Sequence, residues 1–135
     1  MGVEENVVAV SDFIERAWNH GEESVFKEHL SPDFPFPGGP DGFKSMILEY
    51  REAFADFRME VHDIFGAEDK VVTIFTMHGT HTGDFLGVAA TGQNISMGGI
   101  AVDIMRDGRR IGGGAQLDEL GLLRQFGALD SGDSM

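Results

Sequence analysis

The chain has no cysteine, and its 135 residues include only one tryptophan, one tyrosine and four prolines. Without thiols there is no disulfide, thiolate zinc site, iron–sulfur cluster or Cys nucleophile, a pattern that suits a reducing compartment. Positive charge is scarce too. Ten Lys and Arg against 23 Asp and Glu give a formal net charge of −13, which repels phosphate backbones and anionic membrane surfaces, and no basic cluster offsets it locally. Nucleic acid is not an expected partner. No apolar run approaches a membrane span, the N-terminal "MGVEENVV" is acidic where a secretory signal carries cations, and Asn6 breaks the myristoylation pattern. The expectation is one cytoplasmic domain over residues 1–135, without a membrane partner, and with a frayed tail over about 128–135. Such a length can bury roughly two-thirds of the surface exposed by the unfolded chain.

The hydrophobic pattern changes period along the chain. In "VVAVSDFIERAW" Val7, Val10, Ile14, Ala17 and Trp18 recur at helical spacing, with Gly21 as a stop, and "EESVFKEHL" reads as a short second helix. All four prolines fall in "SPDFPFPGGP", which predicts a loop or lid. Phe43, Met46, Ile47, Tyr50, Phe54 and Phe57 then mark another amphipathic helix. Beyond it the period becomes two: "FRMEVHDIF" alternates except at Asp63 and Ile64, "GAEDK" reads as a turn, and strands are predicted near 70–82, 93–105 and 109–117, the last two joined by "RDGR". "DELGLLRQFG" is a short terminal helix. Helices followed by an antiparallel meander predict an α+β domain with helices packed on one face of a curved sheet.

Strand parity sorts the residues that could do chemistry. His78 and His81, in "MHGTHTG", are three positions apart and point to opposite faces, so they cannot share a metal, and no other ligand spacing suggests one. His81 shares its face with Phe75 and Met77 and should look inward, either as a structural histidine of the hairpin or as a catalytic group. Asp103 falls in an apolar row with Met97, Ala101 and Met105. A carboxylate there must be paired, through Arg106, Arg109 or Arg110, or titrate with a raised pKa in a pocket. Gly98, Gly99, Gly112, Gly113 and Gly114 leave volume beside two paired strands, for a bulge, for close packing or for a flat ligand, around which Met77, Met97 and Met105 could repack. Asp118, after this glycine run, is placed either to cap the terminal helix or to stand at a pocket mouth.

The segments "GTHTGDFLGVAATGQ", "GGIAVDIMRDGRRI" and "DELGLLRQFG", with "SPDFPFPGGPDGFKSMI" and "FADFRMEVHDIFGAEDKVV" before them, resemble the SnoaL-like polyketide cyclases of the nuclear transport factor 2-like superfamily. The resemblance implies the cone-shaped α+β fold of that superfamily. It implies ring closure of an aromatic polyketide ester by intramolecular aldol condensation, without metal or cofactor. It also implies Asp118 as acid/base and His81 as its partner. Phe75, Met77, Met97, Met105, Asp103, Trp18, Phe36 and Gly114, where the family usually carries a tryptophan, complete the expected substrate-binding set. The substrate expected is a hydrophobic polycyclic small molecule, and the outer sheet face (Val72, Ile74, Ile100, Val102, Ile104) predicts a homodimer. A non-catalytic binding or dimerisation domain, and an epoxide hydrolase or hydroxylation relative, are the alternative functions.

Overall fold

The computed structural model describes residues 2–129; the rest of the expected tail, 130–135, lies outside them. Helix α1 (Val3–Phe13) starts with Glu4 and Glu5 in its first turn, where carboxylates complement the helix dipole, and continues as a π-helical turn over Ile14–Asn19. That wider turn is docked on the sheet by Asn19, whose Oδ1 accepts from Met59 N–H at 2.7 Å while its Nδ2 donates to Met59 O at 3.2 Å. Ile14, Ala17 and Trp18 are thereby buried. Gly21 ends the turn at φ 68°, a value glycine adopts without strain. After the short α2 (Val25–His29) comes the proline segment, and α3 (Gly39–Ala53) opens with Pro40 in its first turn, where a missing N–H costs nothing.

Helix α3 passes straight into β1 (Phe54–Ala67). Phe54 and Phe57, which helical spacing assigns to α3, therefore belong to the strand. Both are apolar and inward at either period, so spacing alone could not separate the two. β1 pairs with β2 (Lys70–His81), β2 with β3 (Asn94–Arg106) and β3 with β4 (Arg109–Leu117), all antiparallel in the order β1-β2-β3-β4. The break in alternation at Asp63 and Ile64 is a register shift between Val61 and Asp63. Asp107 and Gly108 turn β3 into β4 with φ of 52° and 79°, the signs that a two-residue hairpin turn of the primed type requires. α4 (Glu119–Gln125) closes one end, pinned to β3 by Gln125, whose amide donates to Ser96 O (2.7 Å) and accepts from Ser96 N–H (2.9 Å). The architecture is the expected α+β one, helices on the concave face of a curved antiparallel sheet, and the core fills the space between.

Candidate active site

A cavity of about 310 Å³ lies between the helices and the concave face of the sheet. Its walls are mostly apolar: Trp18 from the π-turn, Phe34 and Phe36 from the proline segment, Phe43 from α3, Phe75 and Met77 from β2. Asp103 and Arg110 are the ionic groups among them. Asp103 comes inward by the parity of β3, opposite Val71, which is fully buried. Arg110 comes inward for a different reason. Ile104 pairs with Gly112 but Met105 pairs with Arg110, so Ile111 is the extra residue of a bulge, and the bulge turns Arg110 to the face that uninterrupted alternation assigns to Ile111. The backbone of Arg110 also holds the proline segment in place, since its carbonyl accepts from Ser31 N–H at 3.0 Å.

The two ionic side chains are 13% and 14% exposed, with Arg110 Nε 3.2 Å from Asp103 Oδ1. The single Nε proton, however, is directed to Gly112 O at 3.1 Å. Asp103 has a cation beside it but accepts no hydrogen bond among the described residues. Burial in the apolar wall pushes its carboxyl pKa up and outweighs the opposing pull of Arg110. The guanidinium carbon stands 5.0 Å and 5.4 Å from the ring centroids of Phe34 and Phe43, which fix it by cation–π contact. The Tyr50 hydroxyl, in the wall shared with an open groove bearing Glu49, Glu52, Asp84 and Glu119, is pushed up to about 12, first by burial and then by Glu119 and Glu49.

Of the residues assigned to substrate binding, Trp18, Phe36, Phe75, Met77, Asp103 and Gly114 line the cavity. Met97 and Met105 do not line it; they are 2% and 4% exposed, inside the core. Parity gave their face correctly but not their distance along the strand from the cavity. His81 and Asp118 lie away from the cavity as well. His81 is wholly buried, its ring stacked on Phe126 at 4.0 Å and 16°. Its Nδ1 lies 2.9 Å from Thr91 Oγ1 and 3.2 Å from Thr91 N, while Nε2 is buried without a hydrogen-bond partner among the described residues. Asp118 is exposed and caps α4, its Oδ1 accepting from Gly121 N–H at 3.0 Å. The glycines divide their roles. A Cβ on Gly99 would come within 2.6 Å of Phe75 and Leu117, so that glycine serves close packing, whereas Gly113, at φ 120°, belongs to the distorted strand. A Cβ on Gly114 meets nothing within 4 Å, and its partner in register is Val102 of the outer face, so its contact with the cavity is through backbone.

Sequence reasoning missed Phe34, Phe43, Met46, Met59 and Tyr50 as cavity walls, although their helical and strand periodicity marked several as core. Among the described residues one cluster has metal-ligand types: Asp12, Glu28 and His29 bring ligand atoms within 4.8 Å of one another. Arg16 already sits there, 2.9 Å from Asp12 Oδ2 and 2.8 Å from Glu28 Oε2, so the cation of that cluster is a guanidinium.

The family model of the SnoaL-like polyketide cyclases matches residues 8–126. The chain belongs to the SnoaL-like polyketide cyclase family. TsrD from Streptomyces laurentii is 28% identical over 96% of this chain and 99% of its own, with a TM-score of 0.87. AclR, a proposed hydroxylase from Streptomyces galilaeus, is 26% identical over 96% of this chain and 100% of its own, with a TM-score of 0.83. IdmH, a proposed polyketide cyclase from Streptomyces antibioticus, is 24% identical over 90% and 98%, with a TM-score of 0.78, and supports the fold. No curated protein sequence matches the chain. The family supports a cyclase-type function, carried by a SnoaL-like fold around one apolar cavity.

Proposed function

We propose that this chain is a cofactor-independent cyclase-like enzyme that closes a ring of a hydrophobic, polyketide-derived molecule by intramolecular aldol chemistry, with Asp103 as the acid/base. The observation that carries this reading is a buried carboxyl facing an apolar cavity, raised in pKa by that burial despite Arg110 beside it and accepting no hydrogen bond among the described residues. A C–H flanked by an ester and a conjugated ring system is already acidic, so one positioned base suffices. The Asp103 carboxylate takes that proton, and the enolate carbon forms a bond to the carbonyl carbon held beside it. The carbonyl oxygen, now an alkoxide, recovers the proton from the Asp103 carboxyl. Burial helps in both directions, since it makes the carboxylate a stronger base and then holds the carboxyl proton until the alkoxide forms. The walls supply the alignment of the two carbons, and a volume near the lower end of small-molecule sites, roughly 300–1,000 Å³, selects a compact ring system.

The test compares Asp103→Asn with Asp118→Asn on an anthraquinone methyl ester bearing an aldehyde side chain. Asp103→Asn is expected to lower turnover by roughly 10²-fold or more with the fold retained, and Asp118→Asn to leave it nearly unchanged. The reverse order would move the acid/base role to Asp118, as the resemblance implies. One observation favours a second reading, a binding protein without turnover: the carboxylate at the family's acid/base position is exposed and engaged as a helix cap. Tight binding of the ester with no conversion by the unaltered protein would select it.

A further inference from the structure

The side chain of Arg110 has five N–H bonds, and the structure accounts for one of them. Nε donates to Gly112 O, and no acceptor faces Nη1 or Nη2 among the described residues. A guanidinium 14% exposed keeps its four unmatched donors within reach of water, since neither Nη is a buried orphan, and a ligand that enters the cavity has to supply acceptors in place of that water. The position of Arg110 limits what that ligand can be. Phe34 and Phe43 stand close to its planar carbon, and Asp103 and Gly112 hold the Nε side. The Nη groups remain for the cavity that this residue lines. A planar fork with two outer nitrogens binds best a pair of coplanar oxygens on one side of a ligand.

We propose that Arg110 is the recognition residue of this cavity and that it takes a syn pair of oxygens, as found in a carboxylate or in the enolate of a 1,3-dicarbonyl. This rests on the reading of the cavity as the substrate site and adds the polar end of the ligand. It assigns the apolar walls to the ring system and the bulge of β4 to specificity, because without Ile111 as the extra residue the fork would point to the outer face. Asp103 then faces the carbon next to the bound oxygens, where proton removal is needed. With an anion on Arg110, a charged Asp103 is a repelling neighbour, so the ligand is held most tightly when Asp103 carries a proton or is replaced by its amide.

Matched naphthalene probes test the assignment, read by calorimetry and by fluorescence of Trp18, the single tryptophan, which lines the cavity. 2-Naphthoate should bind on the order of 10-fold or more tighter than 2-naphthamide, the scale of added charge-assisted hydrogen bonds. At a pH above its own enol pKa, 1-(2-naphthyl)butane-1,3-dione should show the same advantage over 1-(2-naphthyl)butan-1-one. An advantage in only one pair identifies the oxygen source and still supports the fork. Arg110→Gln should abolish the preference while naphthamide affinity stays within about 3-fold, and Asp103→Asn should tighten naphthoate several-fold. Arg110→Lys keeps the charge without the fork and should lose most of the preference, which covers the case of a Gln variant that fails to fold. Equal binding of acid and amide, with Trp18 fluorescence quenched by both, would overturn the proposal while leaving the cavity as the ligand site. Full preference in Arg110→Lys would also overturn it. Failure of every probe to bind the folded protein would remove the cavity reading with it.

Discussion

Asp103 concentrates the consequences of its surroundings in one titration. Because burial raises its pKa above the ordinary carboxylate value of 3.8, the fraction of enzyme with a free base should climb with pH through a midpoint above that value. A plot of turnover against pH should show this acidic limb, and Asp103→Asn should lose the limb along with the rate. The same shift has a sign for stability. Between the unfolded and the raised folded value, the native state holds more protons at this site than the unfolded chain does, so this group's contribution to stability falls as pH rises through that window. Denaturant titrations across it should show a flatter pH dependence in Asp103→Asn. His81 is a contrasting case, a titratable residue with a packing role in this structure. It is fully buried against Phe54 and Phe126, and its replacement by Ala should cost roughly 2–4 kcal/mol in urea unfolding, the usual range for a large buried side chain.

At the scale of elements, α4 depends on Asp118, whose carboxylate satisfies Gly121 N–H at the start of a helix of seven residues. Asp118→Ala should destabilise the protein by about 1 kcal/mol, whereas Asn, which can still accept that hydrogen bond, should cost far less. A drop in unfolding free energy with Ala but not Asn separates capping from catalysis. The sequence was most legible where one period ran unbroken. Parity along β2 and β3 put Phe75, Met77, His81 and Asp103 on the inner face, and the structure agrees. Departures from regularity were legible at Asp63 and Ile64, where the broken alternation marks a register shift, but not at Arg110. The fork of Arg110 reaches the cavity only because Ile111 is bulged, and no local signal distinguishes that from plain alternation ending in three glycines. Phe54 was assigned to the helix alone and Phe57 to both helix and strand, because α3 meets β1 without a loop, leaving no turn residue to mark the boundary. The cavity's other walls come from Phe34, Phe43 and Tyr50, far from the strands in sequence, and which of these faces a void rather than core depends on tertiary packing.

Over the whole molecule, the convex face of the sheet is the surface that the fold leaves uncovered. Ile100 is 51% and Phe65 48% exposed there, and Val72, Ile74, Val102 and Ile104 lie half-buried around them. Gly112 and Gly114 of β4 add no side chain on that side, so the edge of the face is flat. Two pairs of polar groups on it are already engaged with each other, His62 Nε2 with Thr76 Oγ1 at 2.7 Å and His78 Nε2 with Glu60 Oε1 at 2.8 Å, which lowers the cost of removing those four from water. Such a surface suits a second copy of the same chain across a two-fold axis, where a self-complementary apolar patch is covered by its own image. Sedimentation at micromolar concentration should therefore show a dimer. Ile100→Lys places two charges near that interface, one from each copy, and should weaken the dimer by roughly 100-fold or more. The cavity lies on the opposite face of the sheet, so the monomeric variant should still quench Trp18 fluorescence with naphthoate. A wild-type protein that sediments as a monomer at 100 μM would leave the apolar convex face without this partner.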